Sequence, residues 1–225
     1  MKPASLLRSL SPMLAFLLLL PIASLASFSL GQGHLSSLAF RLGVPWSLAS
    51  VLLAHVSFEH LYTNLQAFTI YGFAILFSTV FLAWLTGSLG AAWRLSWGCL
   101  TAGFLPHIVI LLFQGWLHPQ ASFYGMSLVV FSLYGYGFTL TLYLSIFIFT
   151  AAFRRVLGGF SLLLASLLAG FLLLLFLIPL TQGFTFFGLG KPQANVAGHV
   201  AASLGGAITG SAFLPKKLIS QESEY

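Results

Sequence analysis

Charged side chains are scarce in this sequence of 225 residues, making up 5% of it against about 25% in a typical soluble domain. Aspartate is absent, and the acidic residues are Glu59, Glu222 and Glu224. So few charges cannot cover the surface of a water-soluble domain of this length. Because 59% of the residues are hydrophobic and the mean hydropathy is +1.00, the composition indicates an integral membrane protein.

Cysteine is equally rare, since Cys99 is the single one and lies inside an apolar run. A lone cysteine excludes an intrachain disulfide framework, and we predict neither a metal site nor a cofactor. We interpret Cys99 as a small buried or lipid-facing residue. The net charge of +6 comes from basic residues scattered singly or in pairs. That pattern is typical of the loops that orient membrane helices, so we predict no nucleic-acid partner.

Long apolar runs predict six transmembrane helices, because backbone groups cannot stay unpaired in lipid. The alternating pattern of outer-membrane barrels is absent. The first run follows basic residues like a signal peptide, but it continues to about Leu30, far enough to span the bilayer, and we predict an uncleaved helix. The sequence thus predicts one membrane domain over residues 1–217 and a polar tail over 218–225. The predicted helices lie near 12–30, 56–84, 96–116, 123–150, 157–182 and 195–213.

The distribution of basic residues predicts the orientation in the membrane. With six spans, most lysines and arginines fall on the side of the two termini, and only Arg41 and Lys191 fall on the opposite side. The positive-inside rule then predicts that both termini are cytoplasmic. We expect a multi-pass protein of the plasma membrane. No sequence repeat of the kind found in inverted-repeat transporters is present.

Four polar residues are the functional candidates, since polar residues within membrane helices are expensive to retain. His60 and Asn64 lie four apart near the start of the second predicted helix and share a face. Ser127 and His199 lie near the starts of the fourth and sixth. These three helices enter from the same side, so the four side chains come to one depth. Each alone has a simpler explanation: a backbone hydrogen bond for the serine, an interfacial position for His199, and interhelical bonding for Asn64.

Acyl-transfer chemistry explains the combination. A serine hydroxyl needs a neighbouring base to become a nucleophile, and histidine can take that proton and later return it. The oxyanion of the intermediate needs donors, which the side chains of His60 and Asn64 and the N–H of Ser127 can supply. Without any aspartate in the chain, a Ser-His-Asp triad is excluded and a Ser-His dyad remains.

Three motifs follow one another along the chain: the H-x-x-x-x-H-x-x-x-N pattern over His55–Asn64, the G-x-S of Gly125-Met126-Ser127, and Gly198-His199 followed by Gly205 and Gly206. In this order they resemble the motifs of the rhomboid family of intramembrane proteases. The resemblance covers roughly residues 12–213 and implies a six-transmembrane-helix, all-α bundle. It also implies a serine endopeptidase that cleaves transmembrane segments of other membrane proteins.

The resemblance assigns roles to individual residues. Ser127 is implied as the nucleophile, His199 as the general base, and His60 and Asn64 as oxyanion donors. Four further residues are implied to support them. Of these, Gly125 belongs to the serine motif, His55 is structural, and Phe131 packs against the imidazole, although ordinary helix packing explains Phe131 equally well. Gly206, together with the small residue Ala202, would let two helices approach closely.

Departures from the family pattern leave alternatives open. Leu128 stands where many members have glycine, and Ser47 follows Trp46 where the family has arginine. These changes favour a rhomboid-like protein that binds membrane helices without cleaving them. A channel or proton-coupled transporter using the histidines is a third hypothesis. We also predict that the glycine-containing loop Thr181–Gln193 is either a lid over the site or a plain connector. The oligomeric state is left open.

Overall fold

The structure, a computed structural model, describes residues 2–31, 35–119, 123–153, 158–183, 186–187, 189 and 195–215. The described part is all-α: it contains no strand, and an isolated antiparallel bridge joins Phe40 to Phe123. Two short helices and a 3-10 turn over Val51–Leu53 lie between the first two long helices. The helices are α1 (Pro3–Gly31), α2 (Leu35–Leu38), α3 (Ser47–Ser50), α4 (Phe58–Thr86), α5 (Leu89–Leu117), α6 (Ser127–Phe153), α7 (Gly159–Leu180) and α8 (Val196–Phe213).

Each predicted apolar run corresponds to one long helix, but two of these helices begin earlier than predicted. α1 begins at Pro3 rather than near residue 12, so the residues that precede the apolar run are helical as well. α5 begins at Leu89 rather than near residue 96. The break is short because Gly87 takes a left-handed φ of 63° that ends α4, and the Ser88 hydroxyl then accepts the Ala91 N–H at 3.1 Å to cap α5.

Among the described residues, five helices are long and apolar enough to cross a membrane: α1, α4, α5, α6 and α7. They make the chain a multi-pass membrane protein. α8 is not one of the five, because its 18 residues include Gly198, His199, Ser203, Gly206 and Gly210 among the apolar ones.

α6 is the central helix of the bundle. It packs against α4, α5, α7 and α8, and 61% of its apolar segment is buried, whereas the corresponding share is 22% for α1 and for α7. The two outer helices expose large apolar side chains such as Leu19 and Phe160, which suits contact with lipid. The main hydrophobic core lies around α6 and includes Phe68, Ile75 and Tyr136.

α6 and α8 run parallel and pack closely along two glycines. A Cβ atom at Gly206 would overlap the backbone carbonyl of Ser132, and one at Gly135 would overlap the carbonyl of Ser203. Small residues permit such backbone contact between membrane helices. The close packing brings the first turn of α8 beside the first turn of α6.

Candidate active site

A cavity of about 1000 Å³ lies at the end of the bundle where α4, α6 and α8 begin. The four residues chosen from the sequence, His60, Asn64, Ser127 and His199, all line it. Its rim carries further polar groups, whereas the rest of the wall is largely apolar and aromatic. Residues separated by more than 130 positions in the chain therefore face one common cavity.

Ser127 and His199 are joined by a hydrogen bond. Ser127 is the first residue of α6, and its Oγ lies 3.1 Å from Nε2 of His199, which is in the first turn of α8 and 8% exposed. The other ring nitrogen, Nδ1, lies 2.8 Å from the backbone carbonyl oxygen of Phe187. Because a carbonyl can only accept, Nδ1 carries the proton and Nε2 presents its lone pair to the serine hydroxyl. The serine therefore donates to the histidine, which is the polarity that general-base catalysis requires.

The imidazole of His199 is also held by aromatic contacts. The Phe131 ring stacks on it with centroids 4.2 Å apart and an interplanar angle of 24°. Phe131 is itself in contact with Phe186 and Phe187. The carbonyl of Phe187 and this ring together fix the tautomer and orientation of the imidazole, which in a triad is the task of a carboxylate.

The turn before Ser127 packs directly against His60 and Asn64. Gly125 has a φ of 83°, and a Cβ there would lie 3.0 Å from Cε1 of His60 and 3.4 Å from Nδ2 of Asn64. Its N–H donates to the carbonyl of Val51 at 3.0 Å. Only glycine combines this left-handed conformation with such a close neighbour. The turn thus places the start of α6 against the two side chains of α4.

Donors for an oxyanion converge on this point. Asn64 is 8% exposed, and its Nδ2 has no hydrogen-bond partner among the described residues. The N–H of Ser127 belongs to the first residue of α6, where no intrahelical acceptor exists. A buried amide donor without a partner is costly, so this arrangement can stabilise negative charge that develops beside Ser127.

His55 is buried and packs against His60. It is 2% exposed, and its ring lies edge-on to that of His60, with centroids 5.4 Å apart. Burial, and then the neighbouring His60, lower the pKa of His55 from 6.5 to about 4. Its imidazole is therefore neutral at pH 7.

The buried His55 should make the protein sensitive to acid. As the pH falls below 6.5, the unfolded chain binds a proton at His55 but the folded protein does not until the pH approaches about 4. The free energy of unfolding therefore falls over this pH range. The difference corresponds to about 3 kcal/mol. We expect His55→Phe to lose much of the acid-induced fall in thermal unfolding midpoint, measured in detergent between pH 7 and 4.5. His118→Gln, at an exposed histidine, is the control. An unchanged pH slope in His55→Phe would contradict the assignment.

A pair of amides that sequence analysis missed anchors the start of α8. Asn195 caps the helix by accepting the Gly198 N–H at 2.9 Å, and it exchanges two hydrogen bonds of 2.8 Å with Gln114 near the end of α5. The sequence signals were an asparagine just before a helix and a glutamine within an apolar one. The pair ties the first turn of α8, and with it His199, to α5.

Loss of this amide pair should slow the chemistry at Ser127. We expect Gln114→Leu and Asn195→Ala each to reduce the rate of Ser127 modification by a fluorophosphonate about tenfold, since small displacements of reacting groups are costly. The double variant should lose little more, because both changes break one interaction. Gln66→Leu, at an exposed amide on α4, should react at the wild-type rate. Fully additive losses would mean that the two residues act independently.

The two departures from the family pattern are accommodated locally. Leu128 is 5% exposed and packs in a second core cluster with Phe40, Val51, Leu111 and Ala202, while it also contributes to the wall of the cavity. Ser47 is buried and organises the loop before α3: its hydroxyl donates to the Val44 carbonyl at 2.6 Å and accepts the Arg41 N–H at 3.1 Å.

The predicted lid over Thr181–Gln193 is described only in part. Its glycines Gly188 and Gly190 lie outside the described residues, whereas Gly183 has a positive φ of 56°. Phe186 and Phe187 line the cavity, and Phe187 contacts His199 as stated above. The described portion is thus a wall of the site with a direct contact to the imidazole.

No group of three or more His, Cys, Asp or Glu side chains in the described residues could hold a metal ion. No family model matches the sequence, and no curated protein or solved structure is significantly similar to it. The geometry of the cavity and the chemistry of its side chains are therefore what indicate a function.

Proposed function

We propose that the protein is an intramembrane serine endopeptidase of the rhomboid type, with Ser127 as nucleophile and His199 as general base. The observation that carries this proposal is the 3.1 Å hydrogen bond from Ser127 Oγ to Nε2 of an imidazole whose other nitrogen is bound to a backbone carbonyl. Because this pair lies at the head of membrane helices, the substrates are transmembrane segments of other proteins.

The proposal includes a sixth membrane crossing by α8. Its polar and small residues, among them His199, Ser203 and Thr209, are buried in the bundle, whereas Leu204 and Ile208 are exposed. Polar groups that face protein are tolerated at membrane depth. Parallel packing with α6 also places the start of α8 at the same side as the start of α6. With six crossings, the positive-inside rule predicts cytoplasmic termini, and the proposal includes this orientation in the plasma membrane.

Acylation follows from the orientation of the dyad. As Ser127 Oγ attacks the carbonyl carbon of the scissile peptide, its proton passes to Nε2 of His199. The oxyanion of the tetrahedral intermediate accepts hydrogen bonds from Asn64 Nδ2, the His60 side chain and the N–H of Ser127. When the carbon–nitrogen bond breaks, His199 gives the proton to the departing amine. The new amino terminus leaves, and the acyl group remains as an ester on Ser127.

Deacylation repeats these steps with water. A water molecule gives its proton to Nε2 of His199 as its oxygen attacks the ester, and the same donors stabilise the second oxyanion. The collapse of this intermediate returns the proton to Ser127 Oγ and releases the carboxylic acid. Exposed polar residues at the cavity rim, including Ser57 and Thr63, give water a path to the acyl-enzyme.

The proposal is tested by locating an activated serine. Purified protein in liposomes is treated with a fluorophosphonate, the adduct is mapped by mass spectrometry, and cleavage of a generic transmembrane substrate is followed. We expect the adduct on Ser127 and not on the exposed Ser57 of the same cavity. As the labelled fraction of the protein rises, the rate of substrate cleavage should fall in proportion. Folded protein that binds transmembrane helices without labelling or cleavage would favour the non-cleaving hypothesis. Solute flux through the liposomes without cleavage would favour a transporter.

A further inference from the structure

Glu59 is the single acidic residue in the part of the chain that the structure describes, since Glu222 and Glu224 lie beyond it. It is in the first turn of α4, immediately before His60, and its exposed side chain lines the cavity. In a chain with so few charges, a carboxylate in the wall of the candidate site calls for a functional explanation.

No lysine or arginine is among the described residues that line the cavity. The described part of the cavity wall therefore supplies no lysine or arginine to neutralise Glu59. The imidazole of His199 is already bound to Ser127 and Phe187. Among the described lining residues, the Glu59 carboxylate is the source of negative charge at the entrance to a largely apolar cavity, where a cation that enters from outside can meet it.

The position of Glu59 relative to the oxyanion donors defines what it can reach. Glu59 and Thr63 form an exposed stripe on α4, and the next stripe, His60 and Asn64, lies deeper in the cavity. Neighbouring Cα atoms are about 3.8 Å apart, and an extended peptide advances about 3.3–3.6 Å per residue. A substrate whose scissile carbonyl lies at the deeper stripe therefore brings a side chain one to three residues away beside Glu59.

We propose that Glu59 is a specificity-determining residue that selects transmembrane substrates with a lysine or arginine within about three residues of the scissile bond. The inference rests on the proposed peptidase function and specifies its substrates. An arginine suits the site best, because its planar guanidinium can bind a carboxylate through two parallel hydrogen bonds. Because the Glu59 side chain is exposed at the cavity entrance, its attraction for a cation is screened by salt.

A structural role for Glu59 makes a different prediction. An acidic residue in the first turn stabilises a helix through its dipole. Loss of that effect would lower the thermal unfolding midpoint and slow cleavage of every substrate alike. Specificity, by contrast, changes the ratio of cleavage rates between substrates of different charge. The ratio of kcat/KM values is therefore the decisive measurement.

The experiment uses the whole 225-residue chain in liposomes and a set of otherwise identical transmembrane substrates. Arginine, glutamine or glutamate is placed in turn at each of the three positions on either side of the scissile bond. At one or more positions, wild-type protein should cleave the arginine substrate at least about tenfold faster than the glutamate substrate. This preference should vanish in Glu59→Gln, reverse in Glu59→Lys, and shrink in wild-type protein as salt is raised.

Glu222→Gln changes the net charge by the same amount and should keep the wild-type ratio. An equal change of the ratio in that control would assign the effect to net charge and overturn the proposal. An unchanged ratio in Glu59→Gln, or a wild-type preference insensitive to salt, would also overturn it. Mapping of the fluorophosphonate adduct and cleavage of the glutamine substrates are measured first on wild-type protein. Failure there rejects the peptidase, whereas success there with no charge preference rejects only the role of Glu59.

Discussion

Ser127→Ala should reduce substrate cleavage by at least about 10³-fold and abolish the fluorophosphonate adduct. The reason is that Ser127 Oγ is the atom that hydrogen-bonds to the lone pair of His199. His199→Ala should cause a loss of similar size, because a serine hydroxyl without its base is a poor nucleophile. The double variant should lose little beyond either single one, since residues that act as a unit are strongly non-additive. Cleavage rates in liposomes and adduct yields measure these effects.

Two matched controls separate this chemistry from general damage. Ser132→Ala makes the same substitution on α6, at a buried hydroxyl without a hydrogen-bond partner among the described residues, so it should cost little stability. His118→Ala removes an exposed histidine at the end of α5. Both should cleave at close to the wild-type rate. A His199→Ala variant that retained labelling within tenfold of wild type would show that the dyad is not the source of serine reactivity.

Gly206→Ala should damage stability and activity together. The added Cβ would overlap the backbone carbonyl of Ser132, and a backbone atom cannot turn aside as a side chain can. Helices α6 and α8 must then separate, which we expect to cost about 1–3 kcal/mol or more. Since Ser127 and His199 lie on these two helices, the rate of cleavage should fall about 10²-fold. Thermal unfolding in detergent and cleavage in liposomes measure the two effects.

Gly170→Ala is the matched control for this substitution. Gly170 lies within α7, and a Cβ there would meet no atom within 4 Å. The variant should be as stable as wild type or more so, by up to about 1 kcal/mol, because alanine is the better helix former. If Gly206→Ala proved as stable and active as Gly170→Ala, the close contact between α6 and α8 would not be what positions the dyad.

Much of the helical framework could be predicted from apolar runs, because the membrane allows few other structures. Helix ends were harder. The apolar pattern predicts the start of α5 near residue 96, because a glycine, two alanines and an arginine between Leu89 and Leu95 interrupt the pattern, yet these residues are helical. A helix end depends on one capping hydroxyl and one glycine φ, and neither affects hydropathy.

The four cavity residues could be identified because topology alone brings the starts of alternate helices to one side. The contact that orients His199 could not be identified from the sequence, because the acceptor is a backbone carbonyl and every residue carries one. The environment of Leu128 was equally hidden. A side chain next to the nucleophile in sequence points about 100° away from it on a helix, toward Phe40 and Leu111.

The use of a main-chain oxygen to orient the imidazole has a consequence for how the protein tolerates mutation. A carboxylate that holds a catalytic histidine is lost with one codon change. Any amino acid at position 187 would still offer a carbonyl to Nδ1 of His199. On the side of the acceptor, genetic variation can therefore abolish this contact only by moving the chain segment that contains Phe187. The path of that segment is specified by many residues together. The orientation of the base is thus a robust trait, whereas the identity of Ser127 and His199 is a fragile one.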